Sequence, residues 1–351
     1  MTRLDAFRAK MPDNIDVALI TDELNNRYLS GVDYTDGFLL ITREDAYLFA
    51  DSRYIEVAKN TAREGFNVML LSGKRSALIK PLIEKGAAIG YENFSMTVSM
   101  LEGYKKTLCG YPFKPLGRIT EELRNFKDEE EKSFVIKAQR IAEKALGEVL
   151  GMISTDMLEA DLALELEYRM RKNGADGIAF DTIAVSGAHS SMPHGVPERR
   201  KIEKGFLTMD FGAKFSGYCS DMTRTVCVGT PTEEMKRIYG TVLNAQTAAI
   251  EFIKAGEKCA DADRVARDII DGAGYRGCFS HSLGHGVGLY IHEPISLSPL
   301  SEGVLQKGNI VTVEPGIYIE GSCGVRIEDM VYVTDGGNEN LTRFNKELII
   351  I

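Results

Sequence analysis

Four carboxylates and one histidine have residue types and settings that could do chemistry: Asp210, Asp221, His285, Glu314 and Glu328. Asp210 ends the apolar run Leu207-Thr208-Met209, and residues 212–217, with a glycine at each end, can turn the chain into a second strand bearing Asp221. The two aspartates are then expected to face each other across a hairpin, with Asp221, Thr223 and Thr225 on one face by period-two geometry. Further on, Ile310-Val311-Thr312-Val313 runs into Glu314-Pro315-Gly316, where proline stops the strand and leaves Glu314 at its tip. Arg326 and Glu328 alternate along Val325-Arg326-Ile327-Glu328 and are expected on one strand face. Taken singly, each carboxylate reads as an ordinary solvated strand end. Converging, they would repel one another and raise their own pKa values. Two divalent cations would balance a charge of about −4, and oxygen-rich ligation with one imidazole suits Mn²⁺, Co²⁺, Zn²⁺ or Fe²⁺. Such a pair activates water and polarises a carbonyl.

The histidines point to the same region. His189, His194, His281, His285 and His292 are the only five, and all lie in the span 189–292, whereas surface decoration would scatter them. Three stand in the segment 281–292, whose Gly284, Gly286 and Gly288 let the backbone come close to a crowded centre. His281 and His292 read either as site residues or as groups that fix this loop, and His189 reads as part of a surface loop. Arg326 reads as a site residue or as the ion-pair partner of a nearby acid. The glycines do not follow the G-x-G-x-x-G spacing, so no dinucleotide site is expected, and P-loop, G-x-S-x-G and H-E-x-x-H motifs are absent.

The elements that must position these groups follow from periodicity. Strands are predicted over 206–211, 220–228, 310–314 and 324–333, with a helix over 233–255 between them. Upstream, Phe134, Ile136, Ile141, Ala145 and Val149 at helical spacing, with acids in the first turn, predict a helix over 128–151. A second helix is predicted over 155–172, ended by Asn173-Gly174. The first third alternates short apolar runs (17–20, 37–41, 46–50, 67–71) with amphipathic segments, an α/β pattern closed by strands near 88–91 and 110–113. Pro115, Gly117 and the charged run 127–132 place a domain boundary near residue 124. No internal repeat is evident.

A chain of 351 residues with 44% hydrophobic content can build two domains with their own cores. The net charge of −9, without a basic run or helix face, repels phosphate backbones and anionic lipid, so neither nucleic acid nor a membrane is an expected partner. No stretch nears the ~18 apolar residues of a membrane-spanning helix, and residues 1–11 lack the apolar core of a leader. Six cysteines without CxxC pairs or zinc-finger spacing read as small buried apolar residues and as the reduced thiols of a cytoplasmic protein.

The ordered set Asp210, Asp221, His285, Glu314 and Glu328, with Pro193-His194-Gly195 upstream and the segment from His281 to Pro294, resembles the pita-bread metallopeptidases, more closely the Xaa-Pro dipeptidases (prolidases) and aminopeptidases P. The resemblance covers nearly the whole chain. It implies an α+β fold: a pita-bread catalytic domain over 124–351, preceded by a smaller creatinase-type α/β domain over 1–123 that includes Asp51-Ser52-Arg53-Tyr54. It implies two divalent metal ions per chain, Mn or Co favoured over Zn or Fe, with Asp210 on one, His285 and Glu314 on the other, and Asp221 and Glu328 bridging. By the same carry-over, His194 and His292 bind substrate or stabilise the tetrahedral intermediate, His281 orients the site, Arg326 supports the ligand shell and Glu314 also shuttles a proton. The implied activity is hydrolysis of Xaa-Pro bonds in short proline-containing peptides by a homodimer, dipeptidase type favoured, with aminopeptidase P action on longer peptides as the alternative. Methionine aminopeptidases share the five ligands but not the long N-terminal domain, creatinases lack the metals, and binding-only relatives have lost ligands.

Overall fold

A computed structural model describes residues 1–351, which divide into two units, Met1–Arg124 and Asn125–Ile351. The first unit is built on a six-stranded sheet of β1 (Val17–Ile20), β2 (Phe38–Thr42), β3 (Ala46–Ala50), β4 (Asn67–Leu70), β5 (Ile89–Tyr91) and β6 (Phe113–Pro115), in the order β4-β3-β2-β1-β5-β6. Strands β1, β5 and β6 run parallel, while β2 is antiparallel to both β1 and β3. Helices α1 (Arg3–Lys10), α2 (Glu23–Ser30), α3 (Ile55–Thr61), α4 (Arg75–Ile79), α5 (Val98–Thr107) and α6 (Ile119–Arg124) complete it. Every residue of β1 is buried, so its continuous apolar run marks a strand covered on both faces.

The second unit opens with α7 (Glu129–Leu150), whose N-terminus carries a capping box between Asp128 and Glu131, and continues into α8 (Glu159–Lys172). The short β7 (Gly177–Ile178) and then β8 (Ile183–Ser186) and β9 (Gly205–Phe211) follow. A direct turn after Asp210 is not what forms. The chain instead makes a side hairpin, β10 (Ala213–Phe215) and β11 (Tyr218–Cys219), that joins β7 in a small sheet before β12 (Met222–Val228) returns alongside β9. The hairpin turn uses Ser216 and Gly217, at φ 48° and 79°, the left-handed pair that two-residue hairpins favour.

Antiparallel β12-β9-β8 carries α7 and α8, with Leu146, Leu166 and Met170 packed with Leu207, Met209 and Met222 in one core. The other half repeats this plan. Helices α9 (Glu233–Phe252) and α10 (Cys259–Ile270) precede β13 (Gly284–Gly286), β14 (Glu293–Leu297), β15 (Ile310–Val313), β16 (Gly316–Ile319), β17 (Cys323–Arg326), β18 (Asp329–Val333) and β19 (Asn338–Asn340). Their main sheet runs β14-β13-β15-β18-β19, with β16 and β17 as a separate hairpin, and Val242, Ala266 and Ile270 pack with Val311, Val313 and Val331. The sequence shows no such repeat, because a core asks for apolar volume and patterning, and many different residues meet that requirement.

The strand expected over 324–333 is two strands. Residues Ile327 and Glu328 lie where the chain leaves its pairing with β16 and enters its pairing with β15, yet Arg326 and Glu328 still turn to the same side, both bonded to the Thr223 hydroxyl and both lining one cavity. Glu328 N–H donates to the Thr223 carbonyl at 3.2 Å, which turns the break into a link between the two halves. The second helix starts at Glu159, four residues later than expected from the pattern at 155. All six cysteines are unpaired, but only Cys219, Cys227 and Cys259 are buried as expected; Cys109 is exposed. No helix is long and apolar enough to cross a membrane.

A fully buried guanidinium sits at the break. Arg224 donates to the carbonyls of Glu328 (2.6 Å), Thr223 (2.9 Å), Phe344 (2.8 Å) and Asn345 (3.0 Å), and to Asp329 Oδ1 at 2.8 Å. Burial opposes the charge on Asp329, yet Arg224 and Lys346 more than offset it and hold the carboxyl below its ordinary value. Removing one partner of such a pair strands the other charge, so Asp329→Ala should destabilise the second unit by about 3–5 kcal/mol, read as a lower urea midpoint. A midpoint at the wild-type value would show that the pair carries no such weight.

Candidate active site

The five candidate ligands come together where the strand ends of the two halves meet. Asp210 lies in β9 opposite Thr223 of β12, and Asp221 immediately precedes β12. The register Val313 to Asp329 sets Glu314, which follows β15, beside Glu328, which precedes β18. His285 lies on β13, the neighbour of β15, at a bulge that re-aims its side chain. Gly284 makes this approach feasible, since a β-carbon there would lie 2.0 Å from the Thr312 carbonyl oxygen.

Ligand atoms of Asp221, His285 and Glu328 lie within 4.8 Å of one another. His285 Nε2 stands 3.6 Å from Asp221 Oδ2 and 3.4 Å from Glu314 Oε1. Its Nδ1 lies 3.1 Å from the Gly286 carbonyl, which can only accept; Nδ1 therefore carries the proton and Nε2 turns a bare lone pair to the acids. Hydroxyls aim the carboxylates: Thr223 donates to Glu328 Oε2 (2.8 Å) and Thr312 to Glu314 Oε1 (3.1 Å). Asp210 Oδ2 accepts from Arg326 Nη2 at 2.7 Å, while its Oδ1 is buried with no hydrogen-bond partner.

Burial is the main force on Asp221, Glu314 and Glu328; repulsion by neighbouring acids comes next for Asp221 and Glu328, whereas for Glu314 the lowering influence of Arg326 precedes the repulsion by Asp210. The balance raises the carboxyls of Asp221 and Glu328 well above the usual range and lifts Glu314 to about 8. Burial depresses His285 to about 4, so its imidazole is neutral. One guanidinium faces four carboxylates, one carboxylate oxygen is orphaned, and the nitrogen donor is neutral with its lone pair inward. That oxygen-rich donor set with one imidazole fits divalent cations and little else.

A cavity of about 430 Å³ opens over the cluster, and His194, His281, His292 and Arg326 line it with the five acids and bases above. His292 packs edge-on against His285, ring centres 4.4 Å apart, and burial and then His194 lower its pKa. His281 Nδ1–H donates to the Ser282 carbonyl (2.8 Å) and Nε2 accepts from the Tyr318 hydroxyl (2.9 Å). Arg326 donates to Tyr318 (2.7 Å), Thr223 (3.1 Å), the Pro193 carbonyl (3.1 Å) and Asp210, so all three of its nitrogens are engaged. His189 is a correction: it is buried and hydrogen-bonded to Glu159, away from solvent, because the loop folds back onto the start of α8. Sequence reading missed Tyr318, whose place in Gly316-Ile317-Tyr318-Ile319 looks like core, and the apolar wall of Phe180, Ile183 and Ile291.

These shifts set a pH dependence. A carboxyl raised in the folded state contributes stability that is full below its ordinary value and lost as pH climbs through the folded value, for Glu314 from 4.5 to about 8. His281 and His285, depressed from 6.5 to about 4, work in the opposite sense only below pH 6.5 and are neutral in both states above it. Chelator-treated protein should therefore lose melting temperature between pH 6.5 and 8, and an added divalent cation should restore most at the upper end. A melting temperature that rises over this interval would refute the buried cluster.

Residues 134–335 match the profile of metallopeptidase family M24, and residues 3–126 that of the creatinase/prolidase N-terminal domain. The chain is 39% identical over 339 residues to the Xaa-Pro dipeptidase of Pyrococcus horikoshii, covering 96% of this chain and 95% of that protein. Among solved structures it is similar to the Xaa-Pro dipeptidase from Bacillus anthracis, with TM-score 0.95, 40% identity and 99% of each chain covered. It is also similar to the X-Pro aminopeptidase from Thermotoga maritima, with TM-score 0.91, 35% identity and coverage of 96% of this chain and 98% of that one. A creatinase-type unit followed by two helix-backed sheets whose strand ends gather an acidic, cation-demanding cluster is thus the pita-bread plan, and the chain belongs to metallopeptidase family M24, whose members are hydrolases that use divalent metals.

Proposed function

We propose that this protein hydrolyses the bond before proline in short peptides, with two divalent cations held by Asp210, Asp221, His285, Glu314 and Glu328. The observation that carries the reading is the set of four buried or half-buried carboxylates around one neutral imidazole, in a chain similar over nearly its full length to proteins named Xaa-Pro dipeptidase. Asp210 would serve one ion, His285 and Glu314 the other, and Asp221 and Glu328 both. The family resemblance favours Mn²⁺ or Co²⁺, and Zn²⁺ or Fe²⁺ also suit the donors. When bound, the cations supply Lewis acidity toward the scissile carbonyl and toward water.

The chain's own residues supply the rest. His194 and His292, on the cavity wall, donate hydrogen bonds to the carbonyl oxygen as negative charge builds on it. Glu314 accepts the proton that the attacking water releases and passes it to the prolyl nitrogen, which has no N–H of its own and must gain one to leave. His281, held between Ser282 and Tyr318, orients the site without reaching the reacting atoms. Phe180, Ile183 and Ile291 offer the substrate an apolar wall. We further read residues 1–123 as the creatinase-type domain and 124–351 as the catalytic domain of a cytoplasmic homodimer; the six unpaired thiols support the compartment.

One observation favours a second reading. A dipeptidase needs a cation for the free prolyl carboxylate, and Arg326 already commits four of its five N–H donors to other partners, leaving one on Nη2, too few for a bidentate grip; that suits an aminopeptidase acting on longer peptides. Values of kcat/KM for Ala-Pro, Ala-Pro-Ala and Ala-Ala separate the two. We expect Ala-Pro to be used at least as well as Ala-Pro-Ala and far better than Ala-Ala. Preference for the tripeptide would establish the aminopeptidase reading, and equal use of Ala-Ala would overturn both.

The ligand assignment has its own test in Asp221→Asn. The amide keeps the shape but is a poor bridging ligand, so turnover and bound metal should both fall. Because the substitution also removes a repelled buried charge, the metal-free variant should melt no lower than metal-free wild type. Full activity with full metal content would exclude Asp221 from the centre.

A further inference from the structure

Glu159 is the first residue of α8 and is fully buried. An acid at this point of a helix complements the dipole equally well from the surface, and burying a carboxylate is expensive, so the burial calls for a partner that needs it. Four hydrogen bonds supply one. Oε1 accepts from Ser186 N–H (2.8 Å) and the Ser186 hydroxyl (2.9 Å), and Oε2 accepts from His189 Nδ1–H (2.9 Å) and Glu198 N–H (3.4 Å). Between Ser186 and Glu198 runs the loop that carries His194. A single carboxylate on a helix therefore gathers the beginning, the middle and the end of that loop.

Backbone bonds reinforce the junction, with Ala160 N–H donating to the Glu198 carbonyl and Glu159 N–H to the Arg200 carbonyl, both at 3.0 Å. The other side of the loop is tied to β17. Arg326 Nη1 donates to the Pro193 carbonyl at 3.1 Å, and Gly324 N–H donates to the Ser190 hydroxyl at 2.8 Å. His194 thus stands at the cavity edge between an anchor on α8 and an anchor on β17, while Glu159 and His189 themselves are not among the residues lining the cavity.

We infer that Glu159 and His189 are positioning residues for His194: the pair fixes the loop so that the imidazole meets the substrate carbonyl, without touching substrate or the metal ligands. This rests on the role given to His194 above. The requirement is specific. Position 189 must offer an N–H at the place of Nδ1, which asparagine also provides, and position 159 must offer two acceptor oxygens to three partners.

The test is a double-mutant cycle on the Mn²⁺-loaded protein with Ala-Pro as substrate, measuring kcat, KM and bound metal for wild type, Glu159→Gln, His194→Ala and the double variant. Glu159→Gln should lower kcat roughly 10-fold or more, as loss of a supporting hydrogen-bond partner does, with bound metal unchanged. His194→Ala should lower kcat by roughly 10². The double variant should be no slower than His194→Ala alone, since a residue acting through His194 has nothing left to position. Should Glu159→Gln fail to fold, the same cycle is run with His189→Leu, and His189→Asn should recover most of the lost kcat. Multiplicative losses in the double variant, loss of metal with Glu159→Gln, or equal rates for His189→Asn and His189→Leu would each overturn the inference. Wild-type kcat in His194→Ala would instead overturn the role of His194 itself, and that result is visible in the single variant.

Discussion

Four carboxylates crowd the seam where the strand ends of the second unit meet, and the electrostatic cost of holding them there governs what surrounds them. Water would solvate each charge, but burial denies that option to Asp221 and Glu328, and near neighbours add repulsion. Only one cationic side chain, Arg326, reaches the acids directly, and it is already bonded to Asp210, Thr223, Tyr318 and the Pro193 carbonyl. Divalent cations are the natural remedy, because they bring charge without requiring further donors. The need for that charge explains why a stable fold keeps a cluster that by itself disfavours folding above neutral pH.

Holding the acids within a few ångströms of one another demands rigid support, and the fold supplies it from strand ends backed by helices. Arg224 of β12 grips the carbonyls of Thr223 and Glu328 and the Asp329 carboxylate, so β12 and β18, strands of different sheets, share one guanidinium. On α10, the buried Asp263 pairs with the half-buried Arg267 at 2.8 Å. Arg267 donates to the carbonyls of Phe279 and His281, and Asp263 accepts from Leu283 N–H. The Leu283 carbonyl then accepts from Glu314 N–H at 2.8 Å, which couples the helix to a site carboxylate through the residue that precedes β13. Hydroxyls of Thr223 and Thr312 complete the aim of Glu328 and Glu314. Such supporting contacts fix ligand geometry before any ion arrives.

The imidazoles divide into two kinds by their surroundings. His285 and His281 are half-buried, neutral, and locked by carbonyl acceptors into a single tautomer, which suits them to accept at Nε2. His292 and His194 stand on the cavity wall, where an N–H can turn toward a ligand. His189 belongs to neither kind. Buried against Glu159, it serves the loop, and its nearness to His194 in sequence reflects that shared loop.

What the sequence determined by itself is the list of acids and bases and the strands they end. Asp210 and Glu314 each end an apolar run, with Gly212 two residues beyond the one and Pro315 directly after the other to punctuate the chain, so local chemistry alone marks where polar side chains can project. The two helices opening the second unit and the α/β character of the first were legible for the same reason, since 3.6- and 2-residue periodicities are local. Tertiary structure alone decided the break at Ile327-Glu328, the side hairpin 213–219, the burial of His189 and the use of Tyr318. Each depends on a partner far along the chain: Glu328 N–H is answered by Thr223, His189 by Glu159 and Tyr318 by His281 and Arg326. Periodicity carries no information about which distant group will meet a donor or a charge. Only the packing of the two halves, which brings those groups within hydrogen-bonding distance and excludes water, makes that choice.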